Sequence, residues 1–348
     1  TPDGGQMTYQ IACLGAGYFS QFHRDGWERL PDAQIVGVAD LDLQQAKATG
    51  YSAFADLPSL LQATTPDILD IVVPPSAHVD AISTALDHDV PVIICQKPFC
   101  GSLQDARRIV QRAKAKGTTL IVHENFRFQP WFRTIHSAIA AGKIGEPLQG
   151  TFRLRPGDGQ GPDAYLARQA YFRTMPRFMV HETGVHYADV FRYLFGDPTA
   201  VYADLRRVNP AITGEDAGIV TFDHPGGVRT VLDANRNLDH AAQNSRCTMG
   251  EGLFEGTQGT LTITGDGAVA LREFGQITPH FLLPPSTCET FGGDCTFLLQ
   301  QHVLGYLLGL VPLENTAENY LTVLNIEDAI YQSSKDSRKV FLNEHNAH

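Results

Sequence analysis

The sequence lacks several things. No apolar run reaches the roughly 18 residues that a membrane-spanning helix needs. There is no excess of basic charge: 27 Lys and Arg stand against 38 Asp and Glu, for a net charge of -11. That balance argues against nucleic acid or an anionic membrane surface as the main partner, because both favour basic surfaces. Cysteine is sparse, with six residues and no CxxC pair. The expectation is therefore reduced thiols in a cytoplasmic protein, with no metal site. The opening residues, TPDGGQMTYQIACLG, show no basic stretch followed by an apolar core, so no secretory signal is visible, and Met7 is the candidate start. Internal repeats and low-complexity tracts are absent.

What is present points to a large core. The 348 residues are 43% hydrophobic, a length that suggests two domains. The first third alternates apolar strand runs with helical patterns. Strands are expected at Tyr9–Leu14, Ala33–Ala39, Asp67–Val73, Pro91–Cys95 and Thr119–His123. Helices are expected after the first strand, at Ala77–Asp87 and at Leu103–Lys116. This order predicts a parallel sheet covered on both faces. Beyond residue 124 the pattern changes to short alternating strands, at Pro147–Leu154, Ala200–Leu205, Ala217–Phe222 and Val228–Asn235, with more up to Arg272. These predict an antiparallel sheet with one face packed on helices. The expected division is an α/β cofactor domain over 1–124 and a second α/β domain over 125–348, whose closing helix can pack back on the first.

The end of the first strand opens into Gly15-Ala-Gly-Tyr-Phe-Ser20 at the start of a helix. Gly15 permits the tight turn, and Gly17 lets the backbone approach a pyrophosphate on the helix N-terminus. Tyr18 and Phe19 belong to the same phosphate-side loop. Ser20 stands where a third glycine is common. Asp40 ends the second strand, placed to accept hydrogen bonds from the adenosine ribose and to repel a 2′-phosphate, which favours NAD over NADP. Pro74-Pro75 stiffens the loop after the third strand, at the sheet edge where open α/β folds bind ligands, and His78 follows as a further cofactor candidate.

The stretch Cys95-Gln-Lys-Pro-Phe99 ends a buried strand on a lysine. At that edge Lys97, with Gln96 before it, is aimed at the nicotinamide half of a dinucleotide, and the Lys97–Pro98 bond is expected to be cis. Later, His181-Glu-Thr-Gly-Val-His186 opens a helical pattern. Glu182 and His186 lie four apart on one face, and Asp189 lies three beyond, an arrangement suited to general base work. Between them in the chain, Tyr165, Arg168, Gln169, Tyr171, Phe172 and Arg173 form a candidate wall for a polyhydroxylated or acidic ligand.

These motifs occur in order along nearly the whole chain, together with Val73-Pro-Pro-Ser-Ala-His78, Asn125-Phe-Arg-Phe128 and the closing Asp336-Ser-Arg-Lys-Val340. Together they resemble the Gfo/Idh/MocA oxidoreductases, named for glucose–fructose oxidoreductase and inositol dehydrogenase. The resemblance implies an N-terminal Rossmann domain and a C-terminal α/β domain with a large, mostly antiparallel sheet that commonly mediates homodimers or homotetramers. It implies NAD-dependent chemistry on a sugar or polyol hydroxyl. The family's Glu-Lys-Pro maps onto Gln96-Lys97-Pro98, so the lysine carries over and the glutamate does not. Its Asp-x-Gly-x-His maps onto Glu182-Thr-Gly-Val-His186, with glutamate for aspartate. Asn125 matches a position close to nicotinamide and substrate. CQKPF, HENFRFQPWFR and ARQAYFRTMPRFMVHETGVH resemble one branch, that of dehydrogenases acting on aldoses such as D-apiose. On this reading Lys97, His186 and Glu182 are catalytic. Lys97, Asn125, Arg168, Tyr165, Phe172 and His186 touch the substrate. Two alternatives remain open: a redox-neutral, NAD-dependent glycosidase and an inactive NAD-responsive regulator.

Overall fold

The computed structural model describes residues 8–342, so Met7 lies outside them. The chain forms two compact units. The first is Thr1–Asn125 with Thr296–Leu321, and the second is Phe126–Cys295 with Thr322–His348. The first unit thus includes a segment far beyond residue 124. No helix among the described residues is long and apolar enough to cross a membrane.

The first unit is a six-stranded parallel sheet. Its strands are β1 (Tyr9–Leu14), β2 (Ala33–Ala39), β3 (Ala53–Phe54), β4 (Ile68–Ile71), β5 (Val92–Gln96) and β6 (Thr119–His123), in the order β3-β2-β1-β4-β5-β6. The chain reverses direction across the sheet between β1 and β4, the switch point at which a ligand crevice opens at the carboxyl ends of the strands. Burial on both faces explains the near-continuous apolar strands. Helices α1 (Ser20–Glu28), α2 (Leu43–Ala48), α3 (Leu57–Thr64), α4 (His78–Asp87) and α5 (Leu103–Lys116) connect the strands. Helices α2 and α3 and strand β3 lie beyond the elements expected from sequence. The start signals of the two helices are aspartates: Asp42 accepts from the Gln44 N–H at 3.0 Å, and Asp56 from the Ser59 N–H at 2.8 Å.

In the second unit nine strands form one sheet: β7 (Pro147–Leu154), β8 (Ala200–Arg206), β9 (Ala217–Asp223), β10 (Arg229–Asn235), β11 (Gly250–Gly256), β12 (Gly259–Ile263), β13 (Val269–Glu273), β14 (His280–Leu283) and β15 (Val340–Phe341). Their order is β14-β13-β12-β11-β7-β10-β9-β8-β15. All neighbours run antiparallel except β7 and β10. Helix α6 (Pro130–Ala140) and helix α7 (Val185–Phe195) cover one face. Phe132 and Tyr187 pack on Phe152 with ring centroids 6.0 and 4.4 Å away, and Phe191 packs on Phe222 at 5.5 Å. The strand alternation leaves Tyr202, Ile219 and Leu253 exposed on the other face.

Two further helices close the chain, α8 (Cys295–Leu307) and α9 (Ala317–Asp336). Cys247 and Cys288 are disulfide-bonded, which corrects the expectation that all six thiols are reduced. The two are 41 residues apart, a spacing that carries no local signature. Cys13, Cys95, Cys100 and Cys295 are free and buried.

Candidate active site

At the carboxyl edge of the parallel sheet, Gly15 has φ +105°, and a Cβ there would lie 2.1 Å from the Val72 carbonyl oxygen. Only glycine fits that turn. A Cβ at Gly17 would meet nothing within 4 Å, so the start of α1 is open to an approaching group. Tyr18 is exposed, while Phe19 packs edge-on against His23 at 5.7 Å. The Asp40 carboxylate accepts from the Ala16 N–H at 2.7 Å and from the Asp42 N–H at 2.8 Å, which ties the end of β2 to the glycine loop. A glycine cradle with open space, a helix N-terminus and an acidic residue fit a dinucleotide carrying free ribose hydroxyls.

The remaining residues of this edge divide by role. Pro74 precedes a short turn over Pro75–Ala77. His78, expected at the cofactor, is fully buried. Its ring nitrogens face the Val73 and Phe99 carbonyl oxygens at 2.9 and 3.1 Å, so it ties the proline loop to the exit of β5. Burial pushes its pKa down, although those carbonyls act the other way. Gln96 is buried; its Oε1 accepts from the Lys97 N–H at 2.8 Å and its Nε2 lies 3.0 Å from His23 Nε2. Lys97 leaves the strand half-buried, and the Lys97–Pro98 peptide is cis. Asn125 is buried and donates to Thr296 Oγ1 at 3.3 Å.

The second set sits where the chain enters α7. Val180–Gly184 forms a π-helical turn rather than the start of a regular α-helix. Such a turn leaves N–H groups for side chains to satisfy. The Glu215 carboxylate accepts from the Phe178 and Val180 N–H groups, at 3.2 and 3.0 Å, and from the Tyr331 hydroxyl at 2.6 Å. Tyr331 also accepts from the His181 N–H at 3.2 Å, and His181 Nδ1 lies 2.6 Å from the buried Glu327. Thr183 accepts from Arg236 at 2.7 Å, and Arg236 is paired with Asp158 at 2.5 Å. Glu182 is half-buried. His186 is 5% exposed and stacks on Phe126, with ring centroids 3.8 Å apart and planes 4° from parallel.

The Asp189 carboxylate, one turn beyond His186, grips the Arg127 guanidinium through both oxygens, at 2.8 and 2.6 Å. Two expectations change on the substrate wall. Phe172 was expected on the substrate wall but is 2% exposed, in an apolar cluster with Ala164, Phe178 and Ile212. Tyr165 belongs to the same cluster, and its hydroxyl is taken by Arg236 Nε at 3.0 Å and Asp158 at 3.3 Å. Arg168 is exposed. The residues missed from sequence are those that hold others: Glu215, Arg236, Arg127, His23 and Asp70. Only Asp70 left a mark, as a lone acid inside the buried run Ile-Leu-Asp-Ile. Among the described residues no group of three or more His, Cys, Asp or Glu side chains is placed to hold a metal ion.

Residues 9–124 match the family model described as "Oxidoreductase family, NAD-binding Rossmann fold", and residues 132–266 match the GFO/IDH/MocA C-terminal domain. The chain is a member of the Gfo/Idh/MocA oxidoreductase family. This Gfo/Idh/MocA protein is 31% identical to a D-apiose dehydrogenase of Paraburkholderia graminis, over 96% of this chain and 90% of the relative. It is 28% identical to a D-apiose dehydrogenase of Rhizobium rhizogenes, over 94% and 96%. An oxidoreductase from Agrobacterium radiobacter, solved with NAD+, L-tartaric acid and magnesium, superposes with a TM-score of 0.87 at 26% identity, covering 97% of this chain and 99% of that one. The parallel sheet of this family member is thus an NAD-binding Rossmann sheet, and the chain is an NAD-dependent oxidoreductase acting on CH–OH groups.

Proposed function

We propose that the protein oxidises a ring hydroxyl of an aldose, D-apiose in the first instance, to the lactone. The observation that carries this reading is the likeness to two D-apiose dehydrogenases over nearly the whole chain. NAD, when bound, supplies the hydride acceptor. Gly15 and Gly17 would cradle its pyrophosphate, Asp40 its ribose, and the residues around Pro74, Gln96 and Asn125 its nicotinamide side. His186 takes the hydroxyl proton, held flat on Phe126, with Glu182 one turn away to orient it. Lys97 donates to the hydroxyl oxygen as negative charge develops on it. Exposed Arg168 is the remaining candidate for a substrate contact from the 165–173 loop.

We further propose a homodimer or homotetramer through the open face of the nine-stranded sheet, where Tyr202, Ile219 and Leu253 are exposed. Sedimentation of Ile219→Asp against wild type tests it: the variant should run as a smaller species, and unchanged sedimentation contradicts the interface.

The test of activity is NADH formation with NAD and with NADP, across D-apiose, other aldoses, polyols and sugar acids. Wild type and Lys97→Ala are compared at equal NAD occupancy. One sugar class should yield NADH with wild type alone. Release of sugar from glycosides without NADH would favour the redox-neutral glycosidase, and tight NAD binding without turnover would favour the regulator.

A further inference from the structure

Below the edge that carries Lys97 runs a buried polar chain that the proposed chemistry does not use. Asp70 sits in the middle of β4 and is fully buried. Its Oδ2 accepts from the Trp27 indole N–H at 2.7 Å and faces His23 Nδ1 at 2.9 Å. Gln300 Nε2 donates to the His23 carbonyl at 2.9 Å and lies 3.5 Å from the same Asp70 oxygen. His23, 1% exposed, faces Gln96 Nε2 through its other ring nitrogen at 3.0 Å, and Gln96 Oε1 receives the Lys97 N–H at 2.8 Å.

Donor and acceptor identities fix the protons along this chain. The Lys97 backbone N–H can only donate, so the amide oxygen of Gln96 must face it. The amide nitrogen then points at His23 and can only donate, so His23 Nε2 accepts. The ring proton is left on Nδ1, which donates it as a hydrogen bond to Asp70. Each member sets the orientation of the next.

Stability is a weak reason for this arrangement, because a buried carboxylate loses hydration that its partners only partly replace. Asp70 Oδ1 has no hydrogen-bond partner among the described residues. Burial works against the Asp70 charge, while the hydrogen bonds from His23 and the Trp27 N–H favour it. The other titratable groups close by are His123, tilted against the His23 ring with centroids 4.1 Å apart, and the thiols of Cys13 and Cys95, which burial pushes up and so keeps protonated.

We propose that Asp70 and His23 are positioning residues for Lys97: they lock the Gln96 amide, and Gln96 holds the backbone at which Lys97 leaves β5. The proposal rests on the catalytic role given to Lys97 above, but its first readouts do not. In 15N-labelled wild type, the His23 ring should show one N–H, at Nδ1, near neutral pH. Gln96→Glu keeps the shape but puts an acceptor opposite Nε2, so His23 should then carry both protons. In Asp70→Asn and His23→Asn the Lys97 amide should exchange with solvent about tenfold faster, as one hydrogen bond in its support loosens.

With a turned-over sugar, Asp70→Asn and His23→Asn should lose about ten- to a hundredfold in kcat by misplacing the lysine, with the Kd for NAD changed less than about twofold. A merely structural role would lower the folded fraction and weaken NAD binding together. A proton on Nε2 in wild type, or an unchanged Lys97 amide in both variants, overturns the proposal. Should wild type turn over no sugar, the dehydrogenase reading fails, while ring protonation and amide exchange still decide whether the chain of bonds sets the lysine backbone. If Asp70→Asn fails to fold, the isosteric Gln96→Glu carries the ring test alone.

Discussion

Lys97 and His186 are held by different means. Lys97 leaves a central parallel strand whose register with β4 and β6 is set by the ladder on both sides. Its backbone N–H is held by the Gln96 amide, backed by His23 and Asp70. His186 follows a π turn, where the regular helical ladder is interrupted, and its support comes from side chains: Glu215, Glu327, Tyr331 and Arg236 around the turn, and Arg127 on Asp189 one turn on. A strand end inherits its geometry from the sheet. A helix start with a widened turn must have its donors satisfied one by one. The helix side should therefore be the more fragile scaffold, and the strand side the cleaner place to remove chemistry alone.

The largest effect tests the strand side. Lys97→Ala should lower kcat by about 10²–10⁴-fold, the range for removing a group that acts on the reacting proton or charge, while leaving the thermal midpoint near that of wild type. Steady-state NADH formation beside a thermal melt separates the two readouts. A matching fall in midpoint would erase the contrast, because it would make Lys97 part of the scaffold.

Next comes the helix side. Arg127→Leu takes the bidentate guanidinium from the fully buried Asp189 and leaves it the longer contact to Arg192, at 3.6 Å. Removing one member of a buried pair costs about 3–5 kcal/mol, and replacing both by apolar residues of similar volume recovers much of it. Urea denaturation of Arg127→Leu, Asp189→Leu and the double variant measures this. A double variant no better than the worse single one would show that the pair is not the unit that matters.

These two sides were unequally legible in the sequence. Gly15, Gly17 and Asp40 could be read because a tight turn and a strand end impose residue types at fixed local spacing. Lys97 could be read because a cation at the end of a buried strand has to leave it. The holders of His186 could not. Arg127 and Asp189 are 62 positions apart, His181 and Glu327 are 146 apart, and nothing local marks such pairs. Tyr165 and Phe172 were misplaced for a related reason: aromatics beside arginines look the same whether they face a sugar or pack over Arg236, whose guanidinium lies 5.5 and 5.6 Å from their ring centroids. Likewise, the apolar pattern of α8 marks a helix without telling which unit takes it, and Thr296–Leu321 joins the first.

A moderate effect is expected from two buried histidines, one on each side. Burial lowers the pKa of His78 in the first unit and of His224 in the second. Their folded forms resist protonation, while the unfolded chain takes the proton near the ordinary value of 6.5. Stability is thus complete above that value and falls as pH drops below it toward the folded pKa of each ring. Thermal midpoints measured across this window should decline, and His78→Asn and His224→Asn should each flatten the decline. If one alone does so, the pH sensitivity belongs to one side of the molecule.

The smallest effect sharpens the comparison with an ion pair of similar contact distance and far greater exposure. Lys114 and Glu318 lie 2.9 Å apart, but their side chains are 71% and 64% exposed. Arg127 and Asp189 meet at 2.6 Å with 9% and 0% exposed. Water already solvates both members of the exposed pair, and salt screens what attraction remains. Lys114→Ala should therefore change unfolding free energy by less than about 1 kcal/mol, and still less in added salt. A loss at Lys114 comparable to that at Arg127 would mean that contact distance, rather than desolvation, sets the strength of these pairs, and the reason for expecting the helix side to be fragile would fall with it.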